Sequence, residues 1–144
     1  MQNYQRVVTA IDLSEESAAV VDRANNIAAR NSAELHLVHV IEPLSLAYGG
    51  DIPMDFSGVQ DQLQEQAEKQ LRQFGERYTL PSDRLHLLIG RPESQIHQLA
   101  DDISADLIVV GSHGRQGLAL ILGSTANGVL HGAHCDVLAV RVGQ

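Results

Sequence analysis

The sequence predicts an α/β protein: one doubly wound parallel sheet of five strands in the order 3-2-1-4-5, with four helices on its two faces. Three observations carry this. Short apolar, β-branched stretches alternate with helix-period stretches along 144 residues, with no linker, repeat or low-complexity tract to divide them. The strand stretches are continuously apolar rather than alternating, so both sheet faces need cover. Right-handed crossovers with one reversal of winding then put the first strand at the centre. The reading is a single domain over residues 1–144.

Arg6 to Ile11 is the first strand, ended by Asp12-Leu13-Ser14. Ser14 is placed to cap the next helix, with Glu15 and Glu16 favouring its first turn. Ala18, Val21, Ala24, Ile27 and Ala28 form its buried stripe, and Glu34 to Ile41 is the second strand. Pro43 to Asp55 reads as an irregular surface loop. Ser57-x-x-Gln60 is a capping box opening a helix whose stripe is Val59, Leu63, Ala67, Leu71, Phe74 and Tyr78. Leu85 to Ile89 is a third buried strand, stopped by Gly90-Arg91-Pro92. Pro92 suits a first helical turn, and Ile96, Leu99, Ala100 and Ile103 make the stripe that follows. Leu107 to Val110 is the fourth strand, a helix spans roughly Ser124 to Gly132, and Asp136 to Val142 is the fifth strand.

Composition narrows the partners. A formal net charge of −8, with one lysine (Lys69) and nine scattered arginines, disfavours nucleic acid and anionic membrane surfaces. Aromatic residues are too few for a base-stacking platform. One cysteine, Cys135, precludes an internal disulfide and suits a reducing compartment. With no bilayer-length apolar run and no leader, a cytoplasmic location without membrane insertion is expected.

The chemistry concentrates after the fourth strand, where glycines stand at 111, 114, 117 and 123 and Ser124 can cap a helix. Strand, glycine-rich loop and helix start bring bare backbone N–H groups and a positive dipole end against an anion. In a sheet of order 3-2-1-4-5 the ligand crevice lies between strands one and four, where Asp12-Leu13-Ser14 meets the glycine stretch. Arg115, the one cation inside that loop, is placed either to pair a terminal phosphate or to stay solvated. Ser124 and Thr125 offer hydroxyls to phosphate oxygens, or Ser124 a cap alone. Val40, near the end of the second strand, lines that crevice or belongs to the core. His131, His134 and Cys135 lack a further ligand, and no metal site is expected.

Over essentially its whole length the chain resembles the universal stress proteins of the UspA superfamily. The resemblance rests on Val7-Val8-Thr9-Ala10-Ile11-Asp12-Leu13-Ser14, Leu37 to Ile41, Gly90-Arg91-Pro92, Asp106 to Gly114, Gly123-Ser124-Thr125 and Asp136 to Val140. It implies ATP as ligand, with or without Mg2+. Asp12 and Val40 would meet the adenine and ribose end, and Gly111, Gly114, Gly123, Ser124 and Thr125 the phosphates. It also implies a homodimer through the last strand, Val137 to Val142, acting on an unidentified protein partner. The ATP-binding pattern has nine residues between its second and third glycines, and Gly114 and Gly123 are separated by eight. The missing residue removes up to about 3.5 Å of reach. A branch of the superfamily does not bind ATP, so a nucleotide-free dimerisation and partner-binding module is the alternative.

Catalysis is not expected. A Walker loop's glycine-lysine-serine/threonine step is missing, no carboxylate occurs from Gly111 to Cys135, and Asp12 is the only nearby acid the sequence suggests. A weak ATPase is a further alternative.

Overall fold

The computed structural model describes residues 3–43, 57–113 and 124–142. The elements are β1 (Arg6–Ala10), α1 (Ser17–Asn31), β2 (Glu34–Ile41), α2 (Ser57–Arg77), a 3-10 turn (Ser82–Arg84), β3 (Leu85–Ile89), α3 (Pro92–Asp102), β4 (Leu107–His113), α4 (Ser124–Gly132) and β5 (Asp136–Val142). The expected surface loop lies, beyond Pro43, outside the described residues.

All strand pairs are parallel, in the order β3-β2-β1-β4-β5. Because successive side chains of a strand point to opposite faces, the sheet builds two cores. On one face Val7, Leu37 and Val109 pack against Val21 and Ala24 of α1 and Leu71 and Phe74 of α2. On the other, Val8, Val38, Ile108 and Val110 meet Ile96 and Leu99 of α3 and Ala126 and Val129 of α4. The Asp106 carboxylate accepts the backbone N–H groups of Gln5 (2.8 Å) and Arg6 (3.0 Å), fixing β1 beside β4 where both begin. This centres β1 and leaves its carboxyl end, with that of β4, opening on the crevice.

Five expectations change. β4 does not stop at Val110; it runs to His113 because Gly111, Ser112 and His113 find partners in Val140, Arg141 and Val142. Ser14 does not cap α1: the helix begins at Ser17 with Glu16 at its N-cap position, and the Ser14 hydroxyl is drawn instead to Asp12. Neither Glu15 nor Glu16 falls in the first helical turn. β3 is only half-buried, as an edge strand paired on one side. Finally, Val59 and Leu63 of the α2 stripe are 46% and 45% exposed. A 21-residue helix is about 32 Å long, and the five-residue strand after it about 17 Å, so the first turns of α2 overhang the sheet.

Candidate functional site

Between the carboxyl ends of β1, β2 and β4 lies a cleft of about 170 Å³, mostly apolar in lining. Ala10, Ile11 and Asp12 come from β1 and its exit, Val38, His39 and Val40 from β2, and Val110 and Gly111 from β4. Val20 of α1, Pro92 and Ile96 of α3, Ala126 of α4 and Val142 of β5 complete the wall. Drug-sized ligand pockets begin at roughly 300 Å³. The volume therefore suits a ring system rather than a whole nucleotide.

Asp12 is held by its own turn. Its Oδ1 accepts the Ser14 backbone N–H (3.0 Å), the Ser14 hydroxyl (2.6 Å) and the Ser17 hydroxyl (2.6 Å). The Ser17 Oγ in turn accepts the Asp12 backbone N–H at 3.1 Å. Ser17 is buried at 4% exposure, so the carboxylate is tied to the first residue of α1. Leu13, between these anchors, has φ +69°, the left-handed region a branched apolar residue rarely occupies. Such a residue persists only where its surroundings over-determine it, and the Asp12 network does that here.

Gly111 is a strand residue whose missing side chain matters. A Cβ there would lie 3.1 Å from Val20 Cγ2 and 3.7 Å from Val142 Cγ2, so the glycine admits α1 and β5 to the cleft wall. His39 reaches across β1, its Nδ1 donating to the Ile11 carbonyl at 2.8 Å. The bond fixes the proton on Nδ1 of the neutral ring, leaving Nε2 an acceptor. Opposite, α4 rests closely on α3. A Cβ at Gly128 would come within 2.9 Å of the Glu93 Cβ, one at Gly132 would overlap the His97 ring, and His97 Nε2 donates to the Val129 carbonyl at 2.8 Å. That contact sets where the amino end of α4, residues Ser124 and Thr125, stands relative to the sheet.

Of the sequence-predicted residues, Asp12, Val40 and Gly111 are brought together around the cleft. Ser124 and Thr125 open α4. Their side chains, and Gly114, Arg115 and Gly123 entirely, lie outside the described residues. The sequence reading missed Ser17, Val20, His39 and Glu16. Glu16 joins Asp12 on the cleft wall, so Asp12 is not the only acid nearby. Val20 and Ser17 are legible in the sequence only as helix positions, because what brings them to the cleft is the packing of α1 beside the strand ends. Among the described residues no group of three or more His, Cys, Asp or Glu is arranged to hold a metal ion, and no helix is long and apolar enough to cross a membrane.

The model of the universal stress protein family matches residues 3–141. The chain is 44% identical over 140 residues to universal stress protein A homolog 1 of Coxiella burnetii, covering 96% of each. Among solved structures it is similar to a universal stress protein in complex with cAMP (TM-score 0.68, 28% identity, 97% of this chain and 98% of that one). It is also similar to the universal stress protein UspA of Lactobacillus plantarum (TM-score 0.75, 25% identity, 98% and 100%).

Proposed function

The chain belongs to the universal stress protein family, and on that premise we propose that it is a cytoplasmic, dimeric, ATP-binding regulatory protein rather than an enzyme. One observation carries the reading: Asp12, Val40 and Gly111, far apart in sequence, line one cleft at the point where the winding of the sheet reverses. The similar protein solved with cAMP, an adenine nucleotide, supports a purine in this crevice.

In the proposed complex the adenine enters the apolar slot beside Val40, and Asp12, oriented by Ser14 and Ser17, accepts from the ribose. The triphosphate runs toward the amino end of α4 and the residues from Gly114 to Gly123. Asp12 and Glu16 both stand on this wall, so the phosphates need a counter-charge, supplied by Mg2+ and Arg115. The domain, residues 1–144, works as one unit. Its dimer forms through Val137 to Val142, and ATP occupancy alters the surface offered to a partner protein.

Equilibrium dialysis with ATP and Mg2+ tests this. The wild-type chain is expected to retain ATP, and Asp12→Asn, which keeps an oxygen for Ser14 and Ser17, to bind at least tenfold more weakly. A hydrogen bond to a charged group is worth about 1.5–3 kcal/mol, and tenfold is about 1.4 kcal/mol. Absence of binding at millimolar ATP overturns the proposal. It would favour a nucleotide-free partner-binding module, the reading to which the small cleft and the already engaged Asp12 Oδ1 give weight.

A further inference from the structure

Two imidazoles face each other between β2 and the edge strand β3. His36 Nδ1 lies 3.0 Å from His86 Nε2, and the rings stack with centroids 5.2 Å apart and planes 24° from parallel. His36 is buried at 6% exposure and its Nε2 lies 3.2 Å from Glu34 Oε1. Glu34 is itself approached by Arg6 (3.6 Å) and Arg84 (4.0 Å). Its carboxyl is held below the usual carboxylate range, by the His36 bond first and the two arginines after that.

Proton positions follow from these contacts. An ionised carboxylate only accepts, so His36 Nε2 carries a hydrogen. In neutral His36, Nδ1 is then an acceptor and His86 Nε2 must donate to it. A proton added at His86 Nδ1 leaves this bond intact. With both rings charged, Nδ1–H and Nε2–H confront each other at 3.0 Å, and no tautomer relieves the clash.

We propose that His36 and His86 form a one-proton latch that holds the edge strand β3 against β2 and releases it when the pair takes up a second proton. Asp83 and Arg84 of the 3-10 turn and Arg6 and Glu34 are the charged groups around the pair. α3 brings Ile96, Leu99 and Ala100 to this face, with His97 bonded to Val129, Asp101 to His134 and Asp102 to Gln98. Glu93 of the same helix packs against α4 at Gly128. Burial, then the charge of His36, lowers the pKa of His86 below the ordinary imidazole value of 6.5, while Asp83 raises it slightly. The second proton is thus taken up on the acid side of that value. β3 pairs with β2 alone through Leu37↔Leu85 to Ile41↔Ile89, with His86 opposite Val38, so repulsion between the rings acts directly across that pairing.

The test is amide hydrogen exchange of the full chain at pH 7.5 and pH 5, corrected for intrinsic rates, together with a side-chain 15N titration of the histidines. Protection over Leu85 to Leu88 is expected to fall at least tenfold more than protection over Val7 to Thr9. The difference should vanish in His86→Gln, whose amide takes up no proton and can offer His36 Nδ1 its N–H when that nitrogen is bare or its oxygen when it is protonated. The titration should show His36 and His86 gaining protons in two separated steps. Parallel loss of protection in β1 and β3, the same β3 loss in His86→Gln, or a single shared midpoint for the two rings would each overturn the proposal.

Discussion

Asp12 owes its position to a hydroxyl that sequence inspection has no reason to single out. The Ser17 Oγ both accepts from the Asp12 backbone and donates to its carboxylate, and it does so from a buried site at the start of α1. Ser17→Ala removes both bonds and is expected to cost about 1–2 kcal/mol in denaturant unfolding, the range for hydrogen bonds to a charged group partly re-satisfied by water. A variant as stable as the wild type would mean that Ser14 alone holds the carboxylate. Gly90 shows the complementary case at a turn: its φ of +149° and the Gln95 side chain 3.0 Å from a hypothetical Cβ demand glycine, and this bend aims Pro92 at the cleft.

Between elements, the helices are tied to one another by single polar contacts over apolar packing. Tyr78, just past α2, donates its hydroxyl to Asp22 of α1. Burial first, and the Asp22 bond second, push its phenol from 10.0 up to about 12. A folded-state value raised above the unfolded one contributes stability that is complete below pH 10 and lost as pH rises through the interval to about 12. Unfolding free energy is therefore expected to decline over that interval in the wild type and less steeply in Tyr78→Phe; equal slopes would contradict this. The elements were largely legible because their apolar periods are local properties of the chain. The misread features depend on tertiary partners and on the turn: β4 gains Gly111 to His113 only because β5 is there to pair with them, and Ser14 is no cap because α1 starts at Ser17 and the Ser14 hydroxyl donates to Asp12. The same holds for the site. Asp12 and Gly111 follow from strand ends and strand order and Val40 from the family resemblance, whereas Glu16, Val20 and His39 reach the cleft through helix placement and a cross-strand bond that no spacing encodes.

For the molecule as a whole, the strand order leaves β5 as one edge, with Ala139 and Arg141 exposed along it. An edge with so apolar a sequence pairs with another chain unless it is blocked. Antiparallel pairing of two copies centred on this strand would bring Ala139 close to its own symmetry mate. Ala139→Asp then sets two like charges against each other. Sedimentation velocity is expected to find a wild-type dimer and an Ala139→Asp monomer with unchanged circular dichroism; a dimer in both would move the interface elsewhere. The proposed adenine-nucleotide site lies where β1, β2 and β4 end. It is tested most directly by following backbone amide shifts while ATP and Mg2+ are titrated into the full chain. Saturable shifts are expected at Ala10, Asp12, Val40, Gly111 and Ala126, with Arg6 and Glu34 at the amino ends of β1 and β2 unmoved. Saturation centred on any other surface, or no shift at millimolar ATP, would contradict it.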